Sequence, residues 1–303
     1  MRRPSVAAAG FALADGQAVD PDGIVFVASG PDRFGRTMLA CVEPGASSAR
    51  GRELAALALR TLRASFAAHP GAPTDALLAA FAAANTLVLS ENRDFTGRRE
   101  RRVSVGATAV VLCGREVYVA QAAPSQAILV QDGRVYAFPD LASWGGAYAP
   151  DAIVPESLPL GLAEDAATQV FRSEAAVGDL IALCATNLGQ RLGQEADEAA
   201  ALWPARVLTA DLEGSVDRLE RLMAREGIAT SFAVVATVTS VGGRWSGAPR
   251  AGRSGAVTPA DDELARDLRP PFGVAARDAV ISAAERLPRR SPQLDDSAAR
   301  RRA

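Results

Sequence analysis

From Thr108 onward, short apolar runs follow one another through turns too tight to carry a parallel crossover, which commits this part of the chain to antiparallel sheet. Thr108–Cys113 and Glu116–Ala122 flank Gly114-Arg115, a connection of hairpin length. Ala127–Val130 and Arg134–Ala137 flank Gln131-Asp132-Gly133, whose Asp-Gly pair favours a turn. After a loop rich in Gly and Pro, Gln169–Ser173 and Leu180–Cys184 read as strands, and Phe232–Val238 as the last one. Two earlier strands are expected at Ile24–Ala28 and Thr37–Val42. Between the early and late strands lie two helical stretches. The first runs from about Gly51 to Phe66 with Leu54, Leu57, Ala58, Leu62 and Phe66 on one face. The second starts at Thr74-Asp75 and carries Leu77, Leu78, Phe81, Asn85 and Val88 at helical spacing. A late helix, capped by Ser215, runs to Glu226 and stops at Gly227. This order describes an α+β sandwich. It excludes a doubly wound nucleotide-binding fold, and no Gly-x-Gly-x-x-Gly occurs.

Composition shifts near Val241, where Gly242-Gly243-Arg244 and Ser246-Gly247-Ala248-Pro249 give way to a stretch rich in Arg, Pro and Asp. The expectation is one compact domain over residues 1–240 and a mostly disordered tail over 241–303. Two short helices could form in the tail, at Asp261–Leu268 and Val274–Leu287, the second with a weak apolar stripe.

Several chemistries are absent from the outset. All 33 basic residues are arginine, so there is no Walker lysine, Schiff base or lysine general base. The single histidine, His69, lies in a His-Pro-Gly turn and reads as a loop residue; no nucleophile elbow accompanies it. Cys41, Cys113 and Cys184 are isolated in apolar runs and read as small buried hydrophobes in a reducing compartment. The formal net charge is −2, which gives no global field toward nucleic acid or an anionic membrane. No run of 18 apolar residues appears, so a cytoplasmic protein without a membrane span is expected.

Taken in order, residues 24–240 resemble the metal-dependent protein phosphatases of the PPM type, the type 2C serine/threonine phosphatases. Gly106-Ala107-Thr108-Ala109 is similar to that family's Gly-Thr-Thr-Ala strand. Val117 to Leu129, with Ala123-Pro124-Ser125-Gln126 inside it, is similar to the strand and turn of its Gly-Asp-Ser-Arg motif. Gly178 to Asn187 resembles the strand leading into its Ser-Asp-Gly turn, and Gly227–Val235 its closing Asp-Asn segment. Ala84-Asn85 fits a position on the second helix. The resemblance implies a four-layer α/β/β/α sandwich, two antiparallel sheets covered by helices. It also implies two Mg²⁺ or Mn²⁺ ions, held by aspartates and backbone oxygens at one end, with a bridging water made nucleophilic by both cations.

The expected ligands are largely missing. Four turns occupy the motif positions: Val42-Glu43-Pro44-Gly45, Ala123-Pro124-Ser125-Gln126, Cys184-Ala185-Thr186-Asn187 and Ala229-Thr230-Ser231. The resemblance puts the Asp-Gly aspartate at Pro44 with Gly45 kept, the Ser-Asp-Gly aspartate at Thr186, and the closing aspartate at Thr230. The more structural aspartate falls at Pro124. The phosphate-binding arginine meets Ile24–Val27. Asp32, in Pro31-Asp32-Arg33-Phe34, resembles a surviving acidic position; read from the residues alone, it is equally a turn acid. Glu43 neighbours Pro44, but a one-residue strand slip would turn it to the other face. Thr186, Asn187, Thr230 and Ser231 would line the former pocket or satisfy loop backbone.

The favoured expectation is a catalytically inactive pseudophosphatase without a metal cofactor, acting in signalling as a binding or regulatory module for a protein or phosphoprotein. The alternative is an active phosphatase with a rearranged Mn²⁺ or Mg²⁺ site using Asp32 and Glu43. Arg98, Arg99, Arg101 and Arg102 could bind a phosphopeptide or nucleic acid, yet Glu100 interrupts them and a solvated loop is favoured. Trp144-Gly145-Gly146-Ala147-Tyr148 is either a binding flap or a loop packed on the sandwich.

Overall fold

A computed structural model describes residues 4–45, 48–93, 102–123, 125–132, 134–138, 158–165, 168–189 and 207–242. The chain divides between Ala248 and Pro249 into two units, the second wholly outside the described residues. The helices expected at Asp261–Leu268 and Val274–Leu287, the Trp144–Tyr148 segment, Pro124, and Arg98, Arg99 and Arg101 also lie outside them.

Eleven strands and three helices are described: β1 Ser5–Ala14, β2 Gln17–Val19, β3 Val25–Val27, β4 Arg36–Pro44, α1 Ala49–Ala68, α2 Pro73–Arg93, β5 Val105–Cys113, β6 Glu116–Ala122, β7 Gln126–Gln131, β8 Arg134–Phe138, β9 Gln169–Glu174, β10 Leu180–Cys184, α3 Leu212–Glu226 and β11 Ser231–Ser240. They form a six-stranded sheet in the order β2-β1-β11-β10-β7-β8 and a five-stranded sheet in the order β3-β4-β5-β6-β9. Every pairing is antiparallel.

Side-chain alternation sorts the apolar residues into three layers. On β4, Leu39 and Cys41 pack with Val110, Leu112, Leu129, Leu183 and Val234 between the sheets. The alternate residues Met38, Ala40 and Val42 pack with Leu59, Leu62, Leu77 and Phe81 beneath α1 and α2. On the far side, Ile128, Val130, Ala182 and Val235 meet Leu219, Leu222 and Met223 of α3. The result is the expected α/β/β/α sandwich. Both sheets are covered, so central strands such as β5 and β10 are buried along their whole length.

Two strands escape the sequence reading. β1 is Ala-rich, with little intrinsic strand preference, and is held by nine register pairs with β11, among them Ala8↔Ala236 and Gly10↔Val234. Gly10 allows the approach: a Cβ there would stand 2.9 Å from the Ala233 carbonyl oxygen. The β1–β2 turn is Asp15-Gly16, both with positive φ (52° and 77°), as a two-residue hairpin requires. The late helix also begins earlier than expected. Its N-cap is Asp211, which accepts from the Gly214 amide; Ser215 is buried and donates to the Asp211 carbonyl at 2.8 Å. Its end is as expected, with Gly227 left-handed at φ 67°.

α2 is long and apolar enough to cross a membrane by length and composition. Here its apolar face is part of the core. Its two buried asparagines fix the connections around it. Asn85 accepts from the Gly161 amide and donates to the Ala163 and Glu164 carbonyls, while Asn92 exchanges bonds with Val103 and donates to Gly161. Asn85→Ala removes the acceptor of the buried Gly161 amide and the donor to two loop carbonyls. It is expected to lower stability by about 1–3 kcal/mol, read by urea denaturation, with unchanged secondary structure.

Candidate functional site at the mouth of the sandwich

Strand order decides which polar residues meet. β4 ends at Pro44 beside the β5 start, since Glu43 pairs with Gly106 and Pro44 with Val105. β10 ends at Cys184 and leads into a helical turn at residues 186–189; β11 starts at Ser231. These ends, with the Asp15-Gly16 hairpin tip, form one mouth between the sheets. The tip docks there directly: the Gly16 amide donates to the Ala229 carbonyl at 2.7 Å, and the Asp15 amide to Thr230 Oγ1 at 3.1 Å.

The carboxylate at this mouth is Glu43. By alternation it shares the inner face of β4 with Leu39 and Cys41, whereas Pro44 falls on the helix-facing side with Val42. This corrects the motif-based placement, which gave the site position to Pro44 and turned Glu43 away. Gly45 then passes so close to Ser104 that a Cβ would sit 2.2 Å from its hydroxyl oxygen, and its amide donates to the Ser104 carbonyl.

Glu43 reaches across to the opposite sheet. Its Oε2 accepts from the Thr186 amide at 2.9 Å and from Thr186 Oγ1 at 2.7 Å. Burial pushes the Glu43 carboxyl above its usual value, and the two Thr186 hydrogen bonds only partly oppose this. Asn187 Nδ2 donates to the Thr230 carbonyl at 2.8 Å, and its Oδ1 accepts from Ser231 Oγ and from the Leu188 amide, each at 2.8 Å. Thr186, Asn187, Thr230 and Ser231 therefore come together as expected, and their polar groups largely satisfy one another and the loop backbone. Ser125 is fully buried and bonded to Thr108 Oγ1 at 2.8 Å.

Asp32 lies elsewhere. It sits in the β3–β4 connection, by Arg36 and the β5–β6 turn, because Arg36 pairs with Cys113. The seven residue steps from Arg36 to Glu43 span roughly 23 Å of strand. Its Oδ1 accepts from the Phe34 and Arg36 amides, and its Oδ2 accepts from Arg36 Nε at 2.9 Å. The expected pairing of Asp32 with Glu43 in one metal site is thus not formed. Besides Glu43, two exposed carboxylates stand near the mouth, Asp15 and Asp22, and motif matching missed both. The Val42 amide bonds to the Ile24 carbonyl, which places the short 3₁₀ turn Pro21–Gly23 beside the end of β4.

A pair of divalent cations needs several carboxylate oxygens to replace its hydration shell. Among the described residues, no group of three or more His, Cys, Asp or Glu could hold a metal ion. One half-buried carboxylate, already engaged by Thr186, does not fit a binuclear centre. Cysteine chemistry is equally unpromising: all three thiols are free and buried, and burial pushes Cys113 up to about 11 and Cys184 to about 12. His69 accepts from the Gly71 amide and serves its turn.

No protein-family model and no curated protein sequence matches the chain. Solved structures do. A serine/threonine phosphatase from S. agalactiae superposes with a TM-score of 0.58 at 14% identity, over 78% of this chain and 100% of that one. PstP/Ppp of Mycobacterium tuberculosis matches at TM-score 0.55 and 19% identity, covering 78% and 99%. The PPM Ser-Thr phosphatase MsPP of Mycobacterium smegmatis matches at 0.53 and 22%, covering 78% and 98%. The fold is that of the PPM-type serine/threonine phosphatases.

Two substitutions separate structural from site carboxylates. Asp32→Ala strands the guanidinium of Arg36, which is 1% exposed. It is expected to cost about 3 kcal/mol in chemical denaturation. Glu43 behaves oppositely. A carboxyl pushed up by the fold binds its proton more tightly folded than unfolded, so its contribution is complete below the unfolded carboxyl range and is lost as pH rises through the folded value. Glu43→Gln keeps an acceptor for both Thr186 donors. Its Tm is expected to equal wild type near about pH 4 and to exceed it at about pH 7.

Proposed function

We propose that this protein is a pseudophosphatase: a PPM-type sandwich that has exchanged two-metal hydrolysis for a binding or regulatory role in cytoplasmic signalling. The observation that carries the reading is the Glu43–Thr186 contact. Where the resemblance calls for a ring of aspartates, one inward carboxylate is held by a threonine from the opposite sheet. Around it stand Asn187, Thr230 and Ser231, neutral groups bonded to each other. Such a mouth offers hydroxyls and amides to a partner, with Glu43 as its inward carboxylate. A protein or phosphoprotein is the partner class this favours, with nucleic acid and membrane left aside.

Calorimetric titration of Mn²⁺ into the full-length chain, with p-nitrophenyl phosphate turnover followed in parallel, tests the reading. No saturable heat and no metal-dependent turnover are expected. Tight stoichiometric binding with turnover abolished by Glu43→Gln would overturn it and establish an active phosphatase built on other ligands.

A further inference from the structure

A cavity of about 480 Å³ opens at the end of β4 remote from Glu43, between β3, the β3–β4 connection and the exposed side of α1. Its apolar wall includes Phe26, Met38 and Phe66, and three arginines line it: Arg36, Arg60 and Arg63. The volume is in the range that takes a small organic ligand.

The three guanidinium groups are held differently. Arg36 is 1% exposed and stacked against Phe66 (4.3 Å) and Phe34 (4.7 Å). Its Nε donates to Asp32 and its Nη2 to the Phe66 carbonyl, but Nη1 has no hydrogen-bond partner. A buried guanidinium nitrogen without an acceptor calls for one. Arg60 and Arg63 stand three residues apart on α1, on neighbouring positions of one face. Arg63 lies over the Phe26 ring at 3.7 Å. Neither makes an ion pair among the described residues. Among the described residues, Asp32 is the one acidic residue lining the cavity, and its charge is already matched by Arg36. The site therefore combines an apolar wall with uncompensated positive charge.

We propose that this cavity binds a small amphipathic anion, with an apolar chain or ring against Phe26, Met38 and Phe66 and a carboxylate or phosphate head on Arg60 and Arg63. Planar guanidinium forks suit either head, since both accept paired N–H donors. Glu43 and the mouth take no part, so the site stands whatever the outcome with Mn²⁺.

The test is calorimetric titration of the full-length protein with dodecanoate, dodecyl phosphate and dodecyltrimethylammonium, each below its micelle concentration. One of the two anions is expected to bind at one per chain, and the cation to bind at least tenfold more weakly; the tighter anion names the head group. Arg60→Glu combined with Arg63→Glu changes only exposed positions and is expected to weaken the anion at least tenfold with Tm unchanged. Ala64→Trp, which fills the cavity from α1, is expected to weaken it as well. Equal affinity for the cation, full affinity in the charge-reversed variant, or no saturable binding of either anion would overturn the proposal.

Discussion

The apolar layer between the two sheets governs the rest of the molecule. Leu39, Cys41, Val110 and Leu112 on one side, and Leu129, Ile181, Leu183 and Val234 on the other, can share it only if each strand keeps its register. A slip of one residue would turn all of them toward the helix layers and bring their helix-facing neighbours into the space between the sheets. That register also decides the chemistry at the strand ends. Because Leu39 and Cys41 point inward, Glu43 must point inward too, and Pro44 cannot. The identity of the carboxylate at the mouth is thus a consequence of core packing two and four residues away.

The two ends of β4 show how one strand meets opposite electrostatic problems. At one end, Glu43 is partly drawn out of water and makes no ion pair among the described residues. Two donors from Thr186 lessen the cost without removing it, which is why the carboxyl is held above its usual range. At the other end a positive group is buried, and here a full countercharge is supplied: Asp32 takes Arg36 Nε while its other oxygen ties down the turn. The buried pair is also stacked on Phe34 and Phe66, which suits a weakly hydrated guanidinium. Asp32 reads in sequence as a possible ligand because a turn acid after Gly-Pro has two available roles. Its structural role is set by Arg36, four residues on and buried, a partner that motif spacing does not reveal.

Much of the fold was legible because local signals agreed with the global pattern. Apolar stripes announced α1 and α2, tight turns announced β5–β6 and β7–β8, and Gly227 closed the last helix. β1 was missed for a physical reason: an Ala-rich segment has no strand preference of its own, and nine pairings with β11, more than 200 residues away, impose the conformation. The Asp15-Gly16 hairpin signal was there to be read, and would have placed β1 and β2. At the site, the grouping of Thr186, Asn187, Thr230 and Ser231 was expected from the resemblance, and the pairing of β10 with β11 brings it about. The choice of Glu43 over Pro44 was not expected, because motif alignment carries a one-residue uncertainty, while strand orientation is settled only by which neighbours are buried.

The stability of the sandwich and the make-up of its mouth draw on different residues. Its stability resides in three apolar layers, in pinned loops such as those held by Asn85 and Asn92, and in the Asp32–Arg36 pair; none of these is at the mouth. A ring of clustered carboxylates is, by contrast, mutually repulsive until cations occupy it. Under the pseudophosphatase proposal, motif positions held by Glu43, Thr186 and Thr230 leave a single carboxylate there, which removes that repulsion without touching the apolar layers. On the proposed reading, neutral side chains at the mouth leave a rigid scaffold whose strand ends can be fitted to a partner instead of a metal pair. Glu43 is then the remaining strain at that end, tolerable because Thr186 meets it from the opposite sheet.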